Sequence, residues 1–420
     1  MLQRALHIVF LGAAFLALTA CPSGAATYDW GTTGVSDTAV VDNIEQLTDN
    51  VLNDGVVSGD YPTSSGFAPH PWNGAGDWIV YTANITDNST VNREIFVSKP
   101  DGTGMARLTT NAVEDSNASF GSDGKIYFER YVGPNYNDYQ IFRMESDGSL
   151  QTNLTSAHSG TQSERNVALS PNGSKIAFYS ANALWVADAD GTSPEKVSAA
   201  GYNVYDYYGF YSWSPDSNQI AYTCYDIEGI DINTWQICLV NKDGTHSVLT
   251  SGSGYKTWPS WSPDGSRIAF LQEEYPSYKV MTVKADGSGD TTVDEAIAGG
   301  GSWQYIHGPL SWSPDGRWLA YAKSWTDSTY ALHMTKVDTL QTHQLTQGYS
   351  DFAPFWSPTG SQILFSDSRY YASRDDSDAV GVGTNNGGDL LLINLIGEYG
   401  ATKAFPWPMF LPAIQEGGKK

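Results

Sequence analysis

Short apolar segments recur along the chain, each cut off by a turn containing Pro, Asp or Gly, and two signatures alternate. The first is a Trp-Ser-Pro-Asp-Gly turn ahead of an apolar strand. Trp261-Ser262-Pro263-Asp264-Gly265 precedes Ile268-Ala269-Phe270, and Trp312 to Gly316 precedes Leu319-Ala320-Tyr321. Trp213-Ser214-Pro215-Asp216 before Ile220-Ala221-Tyr222 and Trp356-Ser357-Pro358 before Ile363-Leu364-Phe365 also match. Leu169 to Gly173, Phe120 to Gly124 and Pro71 to Asp77 are weaker copies. The turn positions 76, 124, 173, 217, 265, 316 and 360 are spaced by 48, 49, 44, 48, 51 and 44 residues. The second signature comes after each turn: an apolar strand, an Asp-Gly turn, then a strand ending in Leu-Thr, as in Ile95 to Asp101-Gly102 to Leu108-Thr109.

Each unit therefore reads as four antiparallel strands. Proline presets φ at the first turn, and Asp-Gly supplies the left-handed geometry of a tight hairpin. Strands this short cannot bury both faces within one sheet, so the sheets must stack around an axis. The expected fold is all-β, a seven-bladed β-propeller of four-stranded antiparallel blades over residues 41–412. Ile44-Glu45-Gln46-Leu47-Thr48, ahead of the first full unit, matches the fourth-strand endings and is expected to complete the last blade. Ala401 to Phe405 is the alternative source of that strand. Either clasp removes an exposed sheet edge.

The start of the chain reads as an address. Arg4 forms a short positive region and Ile8 to Leu18 an apolar one, too short for a convincing membrane span. Leu18-Thr19-Ala20-Cys21 resembles a bacterial lipobox, which implies cleavage before Cys21 and acylation of its thiol; ordinary secretory cleavage near Ala25-Ala26 is the competing reading. Residues 22–40 then form a tether, and the only membrane contact expected is this lipid anchor. The expectation is an exported protein, periplasmic or on the outer membrane. Cys224 and Cys238 flank one hairpin and either pair across it or remain two buried thiols.

The charge narrows the partners. Asp and Glu number 46 against 23 Lys and Arg, a formal net of −23, which repels nucleic-acid phosphates and favours cations or basic partners.

The Trp-Ser-Pro-Asp-Gly turn with a later Asp-Gly turn, over roughly residues 66 to 400, resembles the propeller repeat of the TolB family. It lacks the terminal Trp-Asp of the WD repeat and the Ser-x-Asp-x-Gly-x-Thr-Trp of the sialidase box. TolB adds an N-terminal α/β domain to six blades, for which this sequence has no room, so a role identical to TolB is not expected. Similar repeats lie beneath the hydrolase domain of dipeptidyl peptidase IV-like enzymes, but no Gly-x-Ser-x-Gly elbow occurs here. They also build oligogalacturonate lyases, a resemblance that implies His, Tyr and Arg, or a His-held metal, near the axis.

Two loop classes are expected to share one face: those entering each first strand and those joining strands two and three. The segments Thr86 to Asn92, Gly133 to Tyr139, Asp226 to Asn233, Glu273 to Tyr278 and Ser368 to Asn386 read as long strand two–three loops. For a lyase on that face, His307, Tyr305, Tyr207, Arg165 and His70 are the candidates for base, acid and carboxylate neutraliser, although His307 also reads as an ordinary turn residue. Tyr205, Tyr208, Trp258 and Asp351 are candidate ligand contacts, with part of the Tyr205–Tyr211 run equally suited to core. Asp226, Glu228 and Asp231 offer hard oxygen ligands for Ca²⁺, or form a merely solvated loop; no other cofactor is expected. The sequence favours a monomeric scaffold that binds a protein or saccharide, ahead of a polysaccharide lyase.

Overall fold

The computed structural model describes residues 41–47, 56–57 and 70–396, apart from 88–89, 134–137, 159–162, 199–201, 204–210, 227–234, 243, 298–304, 327–328, 348–350 and 368–388. Every regular element among these residues is a strand, and the strands form seven antiparallel sheets arranged as the blades of a propeller. Blade 5 shows the pattern in full, with Tyr255–Trp261, Arg267–Glu274, Ser277–Lys284 and Thr291–Ile297 pairing in sequence order.

The ring closes through its N-terminal strand. Val41–Gln46 pairs with Asp389–Leu395 as the fourth strand of blade 7, with Ile44 opposite Ile393. The alternative segment, Ala401 to Phe405, lies outside the described residues.

The repeat turns show why their residue types recur. Ser262 Oγ donates to Asp264 Oδ1 at 2.6 Å, and that oxygen also accepts the Ser266 N–H; the Arg267 N–H in turn donates to Ser262 Oγ. Ser214–Asp216 and Ser313–Asp315 build the same network. The turn needs one residue with positive φ, and glycine provides it at 76, 124, 173, 265, 316 and 360, with Ser217 at φ 61° in blade 4.

The core lies between blades. Seven apolar clusters fill the seven interfaces, so each blade buries its faces only against its neighbours. In one of them Leu332 and Met334 of blade 6 meet Phe352, Ile363 and Leu391 of blade 7. Another joins Leu364 and Leu392 of blade 7 to Ile79 and Tyr81 of blade 1, sealing the ring. Polar bonds add to this: the Trp72 indole donates to the Phe355 carbonyl at 3.2 Å, and those of Trp213 and Trp312 to Ala168 and Ser260 of the preceding blades.

Two features depart from the sequence expectation. The supposed long loops at Thr86–Asn92 and Glu273–Tyr278 belong mainly to long strands: Asp87 faces Thr90 and Glu274 faces Ser277, which leaves two-residue turns. In addition, the innermost strands are interrupted. Register shifts occur between Ser116 and Ser119, Arg165 and Ala168, Thr257 and Ser260, His307 and Ser311, and Phe352 and Phe355. Asn117, Asn166, Trp258 and Ala353 take positive φ in four of these five strands, which kink there.

Candidate functional site

The starts of the first and third strands and the ends of the second share one face, and three groups of side chains occupy it or the axis below. The first group is ionic and belongs to blades 1–3. Arg130 grips the buried Asp115 carboxylate through two bonds of 2.6 and 2.7 Å, and Arg107 pairs with buried Glu94 at 2.9 Å. Burial, partly opposed by Thr109 and Arg107, raises the pKa of Glu94. Arg165 lies with its guanidinium 4.0 Å from the ring centre of Tyr139 and 4.0 Å from Glu129, while its Nε donates to Ser163. Glu164 is fully buried beside His158 Nδ1 at 3.2 Å. Burial pushes Glu164 up to about 7 and His158 down, so each favours its neutral form more than an exposed group would.

The second group is aromatic and belongs to blades 5–7. Tyr278 opens the third strand of blade 5; its ring meets Tyr305 edge-on at 4.9 Å between centroids. His307 lies 6.2 Å from Tyr305, 4.8 Å from Tyr330 and 6.3 Å from Phe352, and Tyr330 and Phe352 are 4.5 Å apart. Tyr278, Tyr305, His307 and Tyr330 are partly exposed, whereas Phe352 is buried beneath them. Strand register explains the gathering: Tyr278 and Tyr330 sit at the starts of third strands, and Tyr305 and His307 at the start of a first strand. Glu273 stands opposite Tyr278, and burial lifts its carboxyl to about 7. Burial raises the Tyr278 phenol, and the neighbouring Tyr305 and Glu273 add to the effect. The His307 Nε2 is buried without a hydrogen-bond partner, and burial lowers the imidazole to about 4. Nearby, Lys256 is buried with its ammonium donating to the carbonyls of Gly252 and Ser253, and burial lowers its pKa.

The third group surrounds the axis towards the Pro-Asp-Gly turns. A cavity of about 280 Å³ is walled by all seven first strands, including Trp72, Phe120, Leu169, Trp213, Trp261, Trp312 and Trp356, one from each blade. Turn prolines such as Pro215, Pro263 and Pro314 line it too. Among the described residues no Asp, Glu, Lys or Arg belongs to its wall.

The structure thus brings Tyr305 and His307 together but leaves Arg165 on blade 3, committed to Tyr139 and Glu129. His70 and Trp258 line the axial cavity instead of the loop face. His70 is an exposed residue of that cavity's wall. Trp258 is buried at a strand kink and faces that cavity, and Asp351 is buried and accepts a hydrogen bond from Thr346, so neither is an open contact on the loop face. Cys224 and Cys238 form a disulfide between neighbouring strands. Tyr205, Tyr207, Tyr208, Glu228, Asp231 and Cys21 lie outside the described residues; Asp226 ends a strand with its backbone opposite Tyr202. Among the described residues no group of three His, Cys, Asp or Glu is placed to hold a metal. Sequence reasoning missed Tyr278, Tyr330 and Phe352 as members of the aromatic group, and Glu273 beside them. Their signal was positional, since each sits at a strand end on the same face as His307.

Residues 203–376 match the TolB beta propeller domain family. A stretch of 199 residues is 26% identical to an uncharacterized protein of Agrobacterium fabrum, covering 45% of this chain and 65% of that one. Another of 153 residues is 27% identical to dipeptidyl-peptidase 5 of Porphyromonas gingivalis, covering 34% and 22%. The chain spans less than two thirds of the length of either relative. Among solved structures, oligogalacturonate lyase from Vibrio parahaemolyticus superposes with a TM-score of 0.59 at 12% identity, over 87% of this chain and 96% of that one. A puromycin-hydrolyzing peptidase of Mycobacterium tuberculosis does so with 0.54 at 14% identity, over 72% and 52%. At such identities the likeness is one of fold, on which unrelated activities are carried. With the family's repeat matched over residues 203–376 and the ring complete in its structure, the chain is a seven-bladed β-propeller that carries TolB-like repeats.

Proposed function

We propose that this propeller is a non-catalytic binding scaffold of the cell envelope that takes a neutral or amino-bearing saccharide on its loop face. The observation that carries the reading is the set of partly exposed rings Tyr278, Tyr305, His307 and Tyr330, supported from below by Phe352. Tyrosine offers a flat apolar body for a sugar face and a hydroxyl for its oxygens. A neutral carboxyl at Glu273 would add a donor, and the net charge of −23 disfavours a polyanionic ligand. Catalysis is less well supported. An imidazole held near pKa 4 is a weak base at neutral pH, and Arg165 belongs to blade 3.

The envelope reading rests on the Cys21 lipobox and on the Cys224–Cys238 disulfide, which suits an oxidising compartment. Val41 stands opposite Leu395, beside the blade 7 Pro turn, so the chain joins the ring on the turn face. A tether from Cys21 would then hold that face towards the membrane and turn the loop face outward.

Titration against a panel of neutral, amino and uronate glycans tests the proposal. Neutral or amino sugars should bind, and Tyr305→Ala and Tyr330→Ala should each weaken binding about three- to tenfold. The alternative, a lyase, draws on Tyr305 and His307 standing together on the loop face of a fold that an oligogalacturonate lyase shares. Ultraviolet absorbance of unsaturated products from uronate polymers, abolished by His307→Ala, would establish it and overturn the scaffold.

A further inference from the structure

We propose that the C-terminal segment Phe405–Pro412 of this same chain docks into the axial cavity on the turn face, plugging the ring from below. Six tryptophans and a ring of turn prolines line a cavity of about 280 Å³, at the small end of ligand-pocket sizes. A space of this size takes a few side chains and not a folded partner. Among the described residues of its wall none is Asp, Glu, Lys or Arg, in a protein with 69 such side chains. An uncharged aromatic and proline surface is the kind that receives proline-rich segments, whose preset backbone loses little entropy on docking.

The last strand delivers such a segment to the right place. The Leu395 N–H donates to the Ser361 carbonyl in the blade 7 turn, and Pro358 of that turn is part of the cavity wall. The chain therefore leaves the ring on the face where the cavity opens. Beyond Leu395 the sequence carries Ala404-Phe405-Pro406-Trp407-Pro408-Met409-Phe410-Leu411-Pro412-Ala413-Ile414, a run with four aromatic or Met side chains, three prolines and no charge. Reach is sufficient. A third strand lies two strand spacings, about 10 Å, from the first strand of its blade. Ten residues from Leu395 to Phe405 extend to about 33 Å. Because the segment is tethered beside its receptor, even weak contacts act at high effective concentration.

The full-length protein tests this with a photo-reactive p-benzoylphenylalanine at Phe405 and mass-spectrometric mapping of the cross-links. Monomeric products joined to the peptides around Trp258–Pro263, Pro309–Pro314 or Phe355–Pro358 are expected. Trp407→Glu should lower their yield about tenfold, since it removes one buried aromatic and places a charge in an apolar cavity. A urea melt of the variant, with its midpoint unchanged, verifies that the blades keep their packing. Covalent dimers through the cavity would assign it to a second copy's segment and overturn the proposal. Cross-links confined to the outer walls, or a yield unchanged by Trp407→Glu, would overturn it equally.

Discussion

Glycine at the first turn of each blade is a conformational requirement, and blade 4 shows what replaces it. Gly316 has φ 70°, and an added Cβ would meet nothing closer than Pro263 Cδ at 3.9 Å. Gly316→Ala should therefore cost only the left-handed strain, about 1–2 kcal/mol, seen as a lower urea midpoint at unchanged slope. Ser217 bears the same strain at φ 61°, but its hydroxyl accepts the Asn172 N–H of blade 3 at 3.0 Å. Ser217→Gly relieves the strain and loses that bond, so the same titration should find it close to neutral. A second residue-scale effect concerns pH. Glu164 keeps its proton up to about 7 in the native state, against 4.5 for the ordinary group, so the native state binds more protons between those values. The stability this contributes is whole below pH 4.5 and is lost as pH rises through 7. Glu164→Gln should flatten the fall in stability over that window, which urea melts at pH 5, 6 and 7 would measure. The repeated turns were readable in the sequence because Pro and Gly carry backbone instructions in themselves. The kinks at Trp258 and Ala353 were not, since neither residue advertises a positive φ and only the packing imposes it.

Among the elements, the clasp and the disulfide act on the ends and middle of the ring. Ile44 faces Ile393 in the closing strand pair, the Leu47 N–H donates to the Leu390 carbonyl at 2.8 Å, and Leu47→Pro removes that ladder donor. A loss of about 3 kcal/mol is expected, with earlier amide exchange in Asp389–Leu395 than in the other third strands. Reduction of Cys224–Cys238, which closes a loop of sequence separation 14, should lower stability by about 3 kcal/mol, measurable as a shifted denaturation midpoint with and without reductant. The clasp was legible because Ile44–Thr48 repeats the ending of the other fourth strands. Hairpin lengths were not. Thr86–Asn92 and Glu273–Tyr278 are polar enough to read as loops, yet cross-strand pairing carries the ladder almost to their tips. A polar strand that overhangs the core has no apolar alternation to announce it.

At the scale of the molecule, seven interfaces of similar make-up hold a ring whose two faces differ in chemistry. The turn face presents an uncharged cavity built from the repeat itself, and the loop face presents ionic pairs over blades 1–3 and aromatic rings over blades 5–7. This division could be read only in part from sequence. The motif residues were visible as turn formers, but their convergence on one axis results from ring closure, which brings together residues nearly 300 positions apart. Likewise Tyr305 and His307 were singled out, while Tyr330 and Phe352 joined them only once blades 6 and 7 were packed. The most direct test of the account is a structure of the protein with the glycan that binds it most tightly. It should show a sugar ring stacked on Tyr305 or Tyr330 at the loop face of blades 5–7. A glycan seated in the axial cavity, or over the Arg130 and Arg165 pairs of blades 2 and 3, would contradict it.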